Sequence, residues 1–122
     1  MGFSSPPDPA KFDSAVYGLV GSIPPGQVMS YGQIARLLRR PRGVSARTYL
    51  GLGARWVGGS LARAPDFVPW QRVIGSDRKI SPRPGPGPLL QRRLLEEEGV
   101  RFDERGRVEA RFLYFSDPQP SL

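Results

Sequence analysis

Proline and glycine divide this chain into short segments. Of its 122 residues, 14 are Pro and 15 are Gly, and both types end helices or form turns. Helices must therefore fit between breaks at 24–26 and 41–43 and around the stretch 82–88, where alternating prolines exclude a helix. A chain of this length has room for one modest core. The pattern predicts a single small α+β domain that is mainly α, with short β elements.

The first part of the chain predicts an arm and two helices. Residues 1–10 contain three prolines and are expected to form a flexible N-terminal arm. Apolar residues then recur at helical spacing from Phe12 to Ile23. Ser30 and Gln33 have the spacing of a capping box, so a second helix is expected over about 31–39.

A turn at 41–43 separates that helix from the next one. Ser45 is a suitable N-cap for a third helix over 46–55, after which Gly58-Gly59 is expected to loosen the chain. Two short helices joined by a Pro/Gly turn, the second with Arg in its first turn, are typical of a helix-turn-helix. We therefore predict this motif over about 31–55.

The second half of the chain predicts shorter elements. Residues 68–74 are expected to be extended and to be followed by a turn at 75–78. Leucines over 89–95 predict a fourth helix that stops at Gly99, and the three glutamates before that glycine are interpreted as a solvated surface run. A hairpin is expected over 100–115.

Charge is unevenly distributed along the chain. The formal net charge is +7 and the isoelectric point is about 10.8. No Asp or Glu lies between Ser14 and Pro65, whereas seven basic residues do. All of these are arginines, namely Arg36, Arg39, Arg40, Arg42, Arg47, Arg55 and Arg63. Such a patch indicates a polyanionic partner, nucleic acid above all, and binding of this type weakens steeply with salt.

The chain contains neither Cys nor His. Disulfides, thiolate metal ligands and Ser-His-Asp catalysis are therefore excluded, and the carboxylates lack metal-ligand spacing. We predict no catalytic residue, no metal and no cofactor, and hence a binding protein and not an enzyme. No apolar run approaches the ~20 residues of a membrane span. We therefore expect a cytoplasmic protein, associated with the nucleoid if it is bacterial.

One short segment makes the predicted function more specific. Residues 69–73 read Pro-Trp-Gln-Arg-Val and resemble the Pro-Cys-His-Arg-Val active-site segment of the O6-alkylguanine-DNA alkyltransferases. Segments 27–35, 46–51 and 97–100 resemble the same family in the same order, so the resemblance extends over about 12–100. Here Trp stands at the position of the alkyl-accepting Cys. That replacement is the mark of the alkyltransferase-like proteins, which bind O6-alkylguanine in DNA without repairing it.

The resemblance implies a winged-helix-like DNA-binding core in a domain of residues 11–122. Arg47 matches the arginine that enters the duplex from the minor groove and fills the gap left by an extruded nucleotide. Tyr31 matches the tyrosine that presses on the backbone phosphate and helps to rotate the base out. Ser45 and Thr48, on either side of Arg47, are expected to contact DNA as well.

The resemblance also implies a lesion pocket. Trp70 would form a wall of that pocket, and Pro69 would shape the segment. Arg83 falls where alkyltransferase-like proteins have an arginine that can stack on the flipped purine and donate hydrogen bonds to it. Gln71 and Arg72 are expected to support the segment, Arg72 through hydrogen bonds to backbone carbonyls.

The implied function is non-enzymatic recognition of DNA damage. A monomer would bind double-stranded DNA containing O6-alkylguanine, flip the lesion into a pocket formed by residues 67–88, and mark it for nucleotide excision repair proteins. The alternative is a winged-helix transcription regulator, with 73–80 as the wing and 46–55 reading undamaged bases in the major groove. An enzyme is a third possibility, although the missing Cys excludes an alkyltransferase in its known form.

Overall fold

The structure, a computed structural model, describes residues 5–115. Four α-helices and a two-stranded parallel sheet form the fold of these residues, and the predicted α+β, mainly helical class is confirmed. The elements are α1 (Pro9–Gly21), β1 (Met29–Ser30), α2 (Tyr31–Leu37), α3 (Ala46–Ala62), β2 (Val73–Ile74) and α4 (Gly87–Glu97), with single 3-10 turns at Trp70–Arg72 and Ala110–Phe112. None of these helices is long and apolar enough to span a lipid bilayer.

Local sequence explains where α1 begins. Asp8 caps the helix by accepting a hydrogen bond from Lys11 N at 3.2 Å. Pro9 suits the first turn because an N–H group there has no helical partner. The helix therefore starts inside the arm that the sequence predicted for residues 1–10, of which 1–4 lie outside the described residues.

The two helices of the helix-turn-helix begin at the predicted caps. Gln33 N donates to Ser30 Oγ at 3.1 Å and Ser30 N donates to Gln33 Oε1 at 3.4 Å, so the capping box of α2 is confirmed. Ser45 Oγ accepts from Thr48 N at 3.1 Å at the start of α3. α2 ends slightly earlier than predicted, at Leu37.

The prediction that α3 ends near Arg55 is wrong. The helix continues to Ala62 and includes both Gly58 and Gly59. Each glycine costs a helix roughly 1 kcal/mol relative to alanine. The second half of α3, however, buries Trp56, which is only 4% exposed. Burial of such a large side chain is worth several kcal/mol and offsets the cost of the glycines.

α1, α2 and α3 pack around the first hydrophobic core. Phe12 meets Trp56 edge to face, with 6.0 Å between ring centroids. α2 and α3 approach closely at Gly53, where a Cβ would lie 3.0 Å from Ala35 Cβ. Across the same contact, Tyr49 Oη donates to Ala35 O at 2.8 Å. Absence of a side chain at Gly53 therefore permits the close packing of the two helices.

The parallel sheet joins this helical core to the second half of the chain. Met29 pairs with Val73, and Ser30 pairs with Ile74. The 3-10 turn at 70–72 leads directly into β2, while α2 follows β1 without a break. The sheet thus positions the predicted lesion segment relative to the helix-turn-helix. A second core cluster packs around α4 and consists of Val28, Ile74, Leu95, Val100 and Val108.

Three expectations for the second half need correction. Residues 68–74 are not one extended segment, because the 3-10 turn precedes β2. α4 begins within the stretch 82–88, and Pro88 is tolerated in its first turn for the same reason as Pro9 in α1. The predicted hairpin is present only near its turn, where Phe102 and Val108 form an antiparallel bridge, and a 3-10 turn follows.

Candidate nucleic-acid interface and lesion pocket

α3 presents a narrow exposed ridge. Arg47 is its second residue, and exposed positions follow at i+3, i+4, i+7 and i+8 on the same face. These positions are Leu50, Gly51, Ala54 and Arg55. An arginine therefore stands at each end of the ridge, with Leu50, Gly51 and Ala54 between them.

Ser45 and Thr48 form the cap at the start of α3. Besides accepting from Thr48 N, Ser45 Oγ donates to Thr48 Oγ1 at 3.0 Å. Both hydroxyl groups are thus engaged in the cap, next to the exposed Arg47. Free N–H groups and the dipole at the start of a long helix attract phosphate. A contact of Ser45 and Thr48 with DNA stays a prediction.

Most arginines of the stretch 14–65, which contains no Asp or Glu, have no acidic partner in the part of the chain that the structure describes. Within residues 5–115, only Arg63 of that stretch forms an ion pair, with Asp13 at 2.8 Å. Other arginines of the protein do pair with carboxylates, namely Arg72, Arg92, Arg93, Arg107 and Arg111. Apart from that of Arg63, the guanidinium groups of the stretch have no carboxylate partner among the described residues and are available to an anionic ligand.

A groove of about 550 Å³ runs between α2 and α3. Arg36 on α2, and Arg39 and Arg40 just after it, line one side, while Tyr49 and Leu50 of α3 line the other. Leu50 is 81% exposed. Cations beside apolar surface match a sugar-phosphate backbone, in which deoxyribose rings alternate with phosphates.

Tyr31 begins α2 and packs, half-buried, against the first core. Its ring passes near Gly58 of α3, where a Cβ would lie 3.8 Å from Tyr31 Cε1. The ring of this α2 residue therefore lies against α3. Pressure of this ring on a DNA phosphate is the role that the resemblance implies, and it stays a prediction.

Pro69 and Trp70 form a tight turn before β2. Pro69 has φ −78° and ψ 65°, an inverse γ-turn, and Trp70 N donates to Val68 O at 2.8 Å across it. Trp70 is half-buried and belongs to neither core cluster, so the indole is not sealed in the hydrophobic interior. The groove between α2 and α3 is not lined by Trp70. A cavity beside the indole therefore stays a prediction.

Glu98 anchors residues 69–73, here named the Trp70 turn, a role that was not predicted from the sequence. Gln71 Nε2 donates to Glu98 Oε2 at 2.8 Å, and Arg72 Nε donates to Oε1 at 3.0 Å. Gly26 N donates to the same carboxylate at 2.8 Å. Burial raises the pKa of Glu98, but the hydrogen bonds from Arg72, Gly26 and Gln71 outweigh burial and hold the pKa below its ordinary value. Arg72 Nη1 also donates to Ile23 O at 3.0 Å, the kind of backbone contact expected of it.

The interpretation of residues 96–98 as a solvated run is wrong for Glu98. Glu96 and Glu97 pair on the surface with arginines one turn earlier, whereas the Glu98 side chain is only 15% exposed. One signal in the sequence indicates that Glu98 has a basic partner elsewhere in the fold. A carboxylate at the C-terminus of a helix is unfavourable with respect to the dipole, which points to a compensating cation elsewhere.

Arg83 is joined to the Trp70 turn through Gln91. Arg83 Nη2 donates to Gln91 Oε1 at 3.0 Å, and Gln91 Nε2 donates to Gln71 O at 3.1 Å and to Val73 O at 2.8 Å. The structure thus links Arg83 to the backbone just after Trp70 through one intervening side chain. Sequence analysis did not identify Gln91, although its place four residues before a buried leucine puts it on the inner face of α4.

A helix-turn-helix bordered by arginines without acidic partners in the described part of the chain defines a DNA-binding domain. Residues 11–100 match the family model of the 6-O-methylguanine DNA methyltransferase DNA-binding domain. The chain belongs to this family, and the resemblance seen in its sequence is confirmed.

Named relatives lie within the same family. The chain is 36% identical over 100 residues to the DNA base-flipping protein of Escherichia coli (strain K12), covering 80% of this chain and 69% of that protein. It is 41% identical over 95 residues to alkyltransferase-like protein 1 of Schizosaccharomyces pombe, covering 75% of this chain and 79% of that protein. The fold is similar to that of S. pombe Atl1 in a crystal structure with damaged DNA containing O6-carboxymethylguanine. That match has a TM-score of 0.67 at 32% identity and covers 87% of this chain and 96% of the other.

Proposed function

We propose that this protein recognises O6-alkylguanine in double-stranded DNA and does not transfer the alkyl group. The observation that carries the proposal is Trp70, which stands at the acceptor position of the motif in a chain without cysteine. Family membership supports DNA binding, and the names of the two relatives support base flipping without a transferase reaction. The Atl1 structure with O6-carboxymethylguanine supports a lesion of this class.

DNA binding begins at the helix-turn-helix. The ridge of α3 enters the minor groove. Because that groove is only about 6 Å wide in B-DNA, entry of a helix about 10–12 Å across widens it and bends the duplex. Arginines of the groove between α2 and α3 neutralise phosphates of one strand. Because each such contact releases counterions, binding weakens as the salt concentration rises.

The damaged nucleotide is then extruded from the duplex. Extrusion costs a few kcal/mol, and less for a base that pairs poorly. Arg47 fills the vacated place in the stack, and Tyr31 presses on the adjoining phosphate. Each of these residues lies in the first turn of a helix of the motif, so docking of the motif carries both to the DNA.

The extruded base is bound at the Trp70 turn. The indole packs on the alkyl group or the purine face, while Arg83 stacks on the base or donates hydrogen bonds to it. Pro69 shapes the turn, and Gln71 and Arg72 hold it in place. No thiolate is present to accept the alkyl group, so the complex persists and the lesion stays marked.

We further propose that the marked site recruits nucleotide excision repair proteins and that the protein binds as a monomer, with residues 11–122 acting as one domain. These three statements follow from the resemblance to alkyltransferase-like proteins.

Comparative binding tests the proposed function. Dissociation constants are measured at one salt concentration for an O6-methylguanine duplex and its unmodified twin. We expect the wild type to prefer the lesion and Trp70→Ala to lose most of that preference. Phe115→Ala, which removes a 70% exposed aromatic outside the site, should retain it. Equal affinity of the wild type for both duplexes refutes lesion recognition, and preference for one undamaged sequence favours a regulator. Transfer of a labelled methyl group to the protein refutes the non-enzymatic mechanism.

A further inference from the structure

Gln91 is a polar side chain in the interior of the protein. It is only 1% exposed, and Ser60 is the other fully buried polar residue of the described range. Its amide group makes three hydrogen bonds, two through Nε2 to the backbone around β2 and one through Oε1 from Arg83. Buried amides without partners are costly, so these contacts fix the orientation of the group.

Hydrogen-bonding chemistry allows only one orientation of the Gln91 amide. Two backbone carbonyls face Gln91 and can only accept, so the NH2 end of the amide must point to them. The oxygen then points the other way, toward Arg83, whose guanidinium can only donate. Position and direction of the acceptor for Arg83 are thus set by the backbone of Gln71 and Val73, the residues that follow Trp70.

The loop that carries Arg83 adds to this constraint. Pro82 and Pro84 fix the backbone on either side of it. Arg83 Nη1 donates to Ser81 O at 3.1 Å, and Nη2 lies 3.4 Å from the place of a Cβ on Gly87. An exposed arginine, normally free to rotate, is therefore held at two of its nitrogens before any ligand arrives.

We infer that Gln91 is a positioning residue that fixes Arg83 relative to Trp70, so that recognition of the lesion by Arg83 depends on Gln91. The inference rests on the proposed function and names a residue that does not itself touch DNA. Prior ordering of the guanidinium removes an entropy cost from binding. That gain applies only to the complex in which a flipped base reaches Arg83, and it therefore increases selectivity for the lesion.

Gln91→Met tests the inference, because Met has a similar volume and no amide. We expect affinity for the O6-methylguanine duplex to fall about five- to tenfold, the worth of one hydrogen bond, with affinity for the unmodified duplex nearly unchanged. In an Arg83→Ala background the same change should have little further effect on selectivity. Ser60→Ala, which removes the other buried polar group, should lower the Tm and leave selectivity intact.

Two further measurements separate positioning from folding. Gln91→Lys keeps a donor for the two carbonyls and replaces the acceptor for Arg83 with a cation, so it should also lose selectivity. The side-chain ¹⁵N resonance of Arg83 in the free protein should be that of an ordered guanidinium in the wild type and of a mobile one in both Gln91 variants.

The positioning role of Gln91 and the proposed function can be refuted independently of each other. Equal affinity of the wild type for the two duplexes refutes the proposed function. An Arg83 resonance that Gln91→Met leaves unchanged refutes positioning. Positioning is also refuted by a lower Tm with unchanged selectivity, or by selectivity losses from Gln91→Met and Arg83→Ala that simply add.

Discussion

Replacement of Glu98 by Gln separates the charge of this residue from its shape. In the wild type the carboxylate accepts hydrogen bonds from Gln71, from Arg72 and from the backbone of Gly26. A glutamine has one oxygen acceptor, and its NH2 group would face donors that have lost their partner. The substitution thus leaves Arg72, whose side chain is only 15% exposed, as a cation without its counter-ion.

The expected loss in free energy of unfolding is about 2–4 kcal/mol. A hydrogen bond to a charged group contributes about 1.5–3 kcal/mol, and at least one is lost. Breaking a fully buried ion pair costs about 3–5 kcal/mol. Because both side chains of this pair are partly exposed, the expected loss is smaller than the largest of these values. For a chain of this size, the loss corresponds to a decrease in Tm of roughly 10 °C.

Thermal and urea unfolding at a series of pH values measure this effect and its origin. The pKa of Glu98 is lower in the folded protein than the roughly 4.3 of an unfolded chain. The folded state therefore binds fewer protons in this range, and the carboxylate contributes stability that is fully present above about pH 5. That contribution is lost as the pH falls through the folded pKa. The free energies of unfolding of the wild type and of Glu98→Gln should differ by a constant amount near neutral pH, and the difference should disappear in acid.

The neighbouring Glu97→Gln is the matched control. Its side chain is 62% exposed and pairs with Arg93 at 3.6 Å, an arrangement worth less than about 0.5 kcal/mol. If Glu98→Gln were no more destabilising than this control, or if its deficit did not narrow in acid, the carboxylate would not be the anchor of the Trp70 turn.

Other substitutions test the groove, the acceptor position and the contact between α2 and α3. Changing Arg39 and Arg40 together to Gln should weaken binding to both duplexes equally and reduce the salt slope by about 1.8, since each lost phosphate contact removes about 0.9. Trp70→Cys should not restore efficient alkyl transfer, because the next residue is an amide and not an imidazole; rapid stoichiometric demethylation of labelled DNA would contradict this. Gly53→Ala should lower the free energy of unfolding in urea by about 1–2 kcal/mol, because overpacking outweighs the gain in helix propensity.

Two of these tests have matched controls. Arg92 and Arg93 on α4 already pair with glutamates, so their replacement by Gln should leave the salt slope unchanged. Gly51→Ala places a Cβ where nothing beyond the neighbouring residues and the backbone of α3 itself lies within 4 Å, and it should raise stability by up to about 1 kcal/mol. An equal fall in slope for both arginine pairs, or a Gly53→Ala protein as stable as the wild type, would contradict the geometry described above.

Local signals in the sequence predicted helix starts better than helix ends. The caps of α2 and α3 depend on Ser30, Gln33 and Ser45, each of which accepts from an N–H group three residues away. The end of α3 depends instead on burial of Trp56 against α1, a contact between distant parts of the chain. Two glycines in the second half of the helix indicated a break that tertiary packing overrides.

The same difference between local and distant contacts explains which residues of the candidate site the sequence predicted. Trp70 was predicted because a linear motif contains it, and Arg83 was predicted from its position after that motif. Gln91 and Glu98 were missed because their partners lie far along the chain, at Gln71, 20 residues from Gln91, and at Arg72, 26 residues from Glu98. These contacts form only when α4 folds back on the Trp70 turn. The spacing of residues within one segment therefore does not predict them.

α4 therefore holds the Trp70 turn at two points. Gln91 binds its backbone carbonyls, and Glu98 binds the side chains of the two residues that follow the indole. A pocket that only binds needs this rigidity as much as one that reacts, because each side chain ordered during association costs about 0.5–1.5 kcal/mol. An alkylated guanine differs from guanine by few atoms, so costs of that size are comparable to the whole available discrimination. In the proposed mechanism, selectivity depends on a helix that makes no DNA contact as much as on the helix-turn-helix that does.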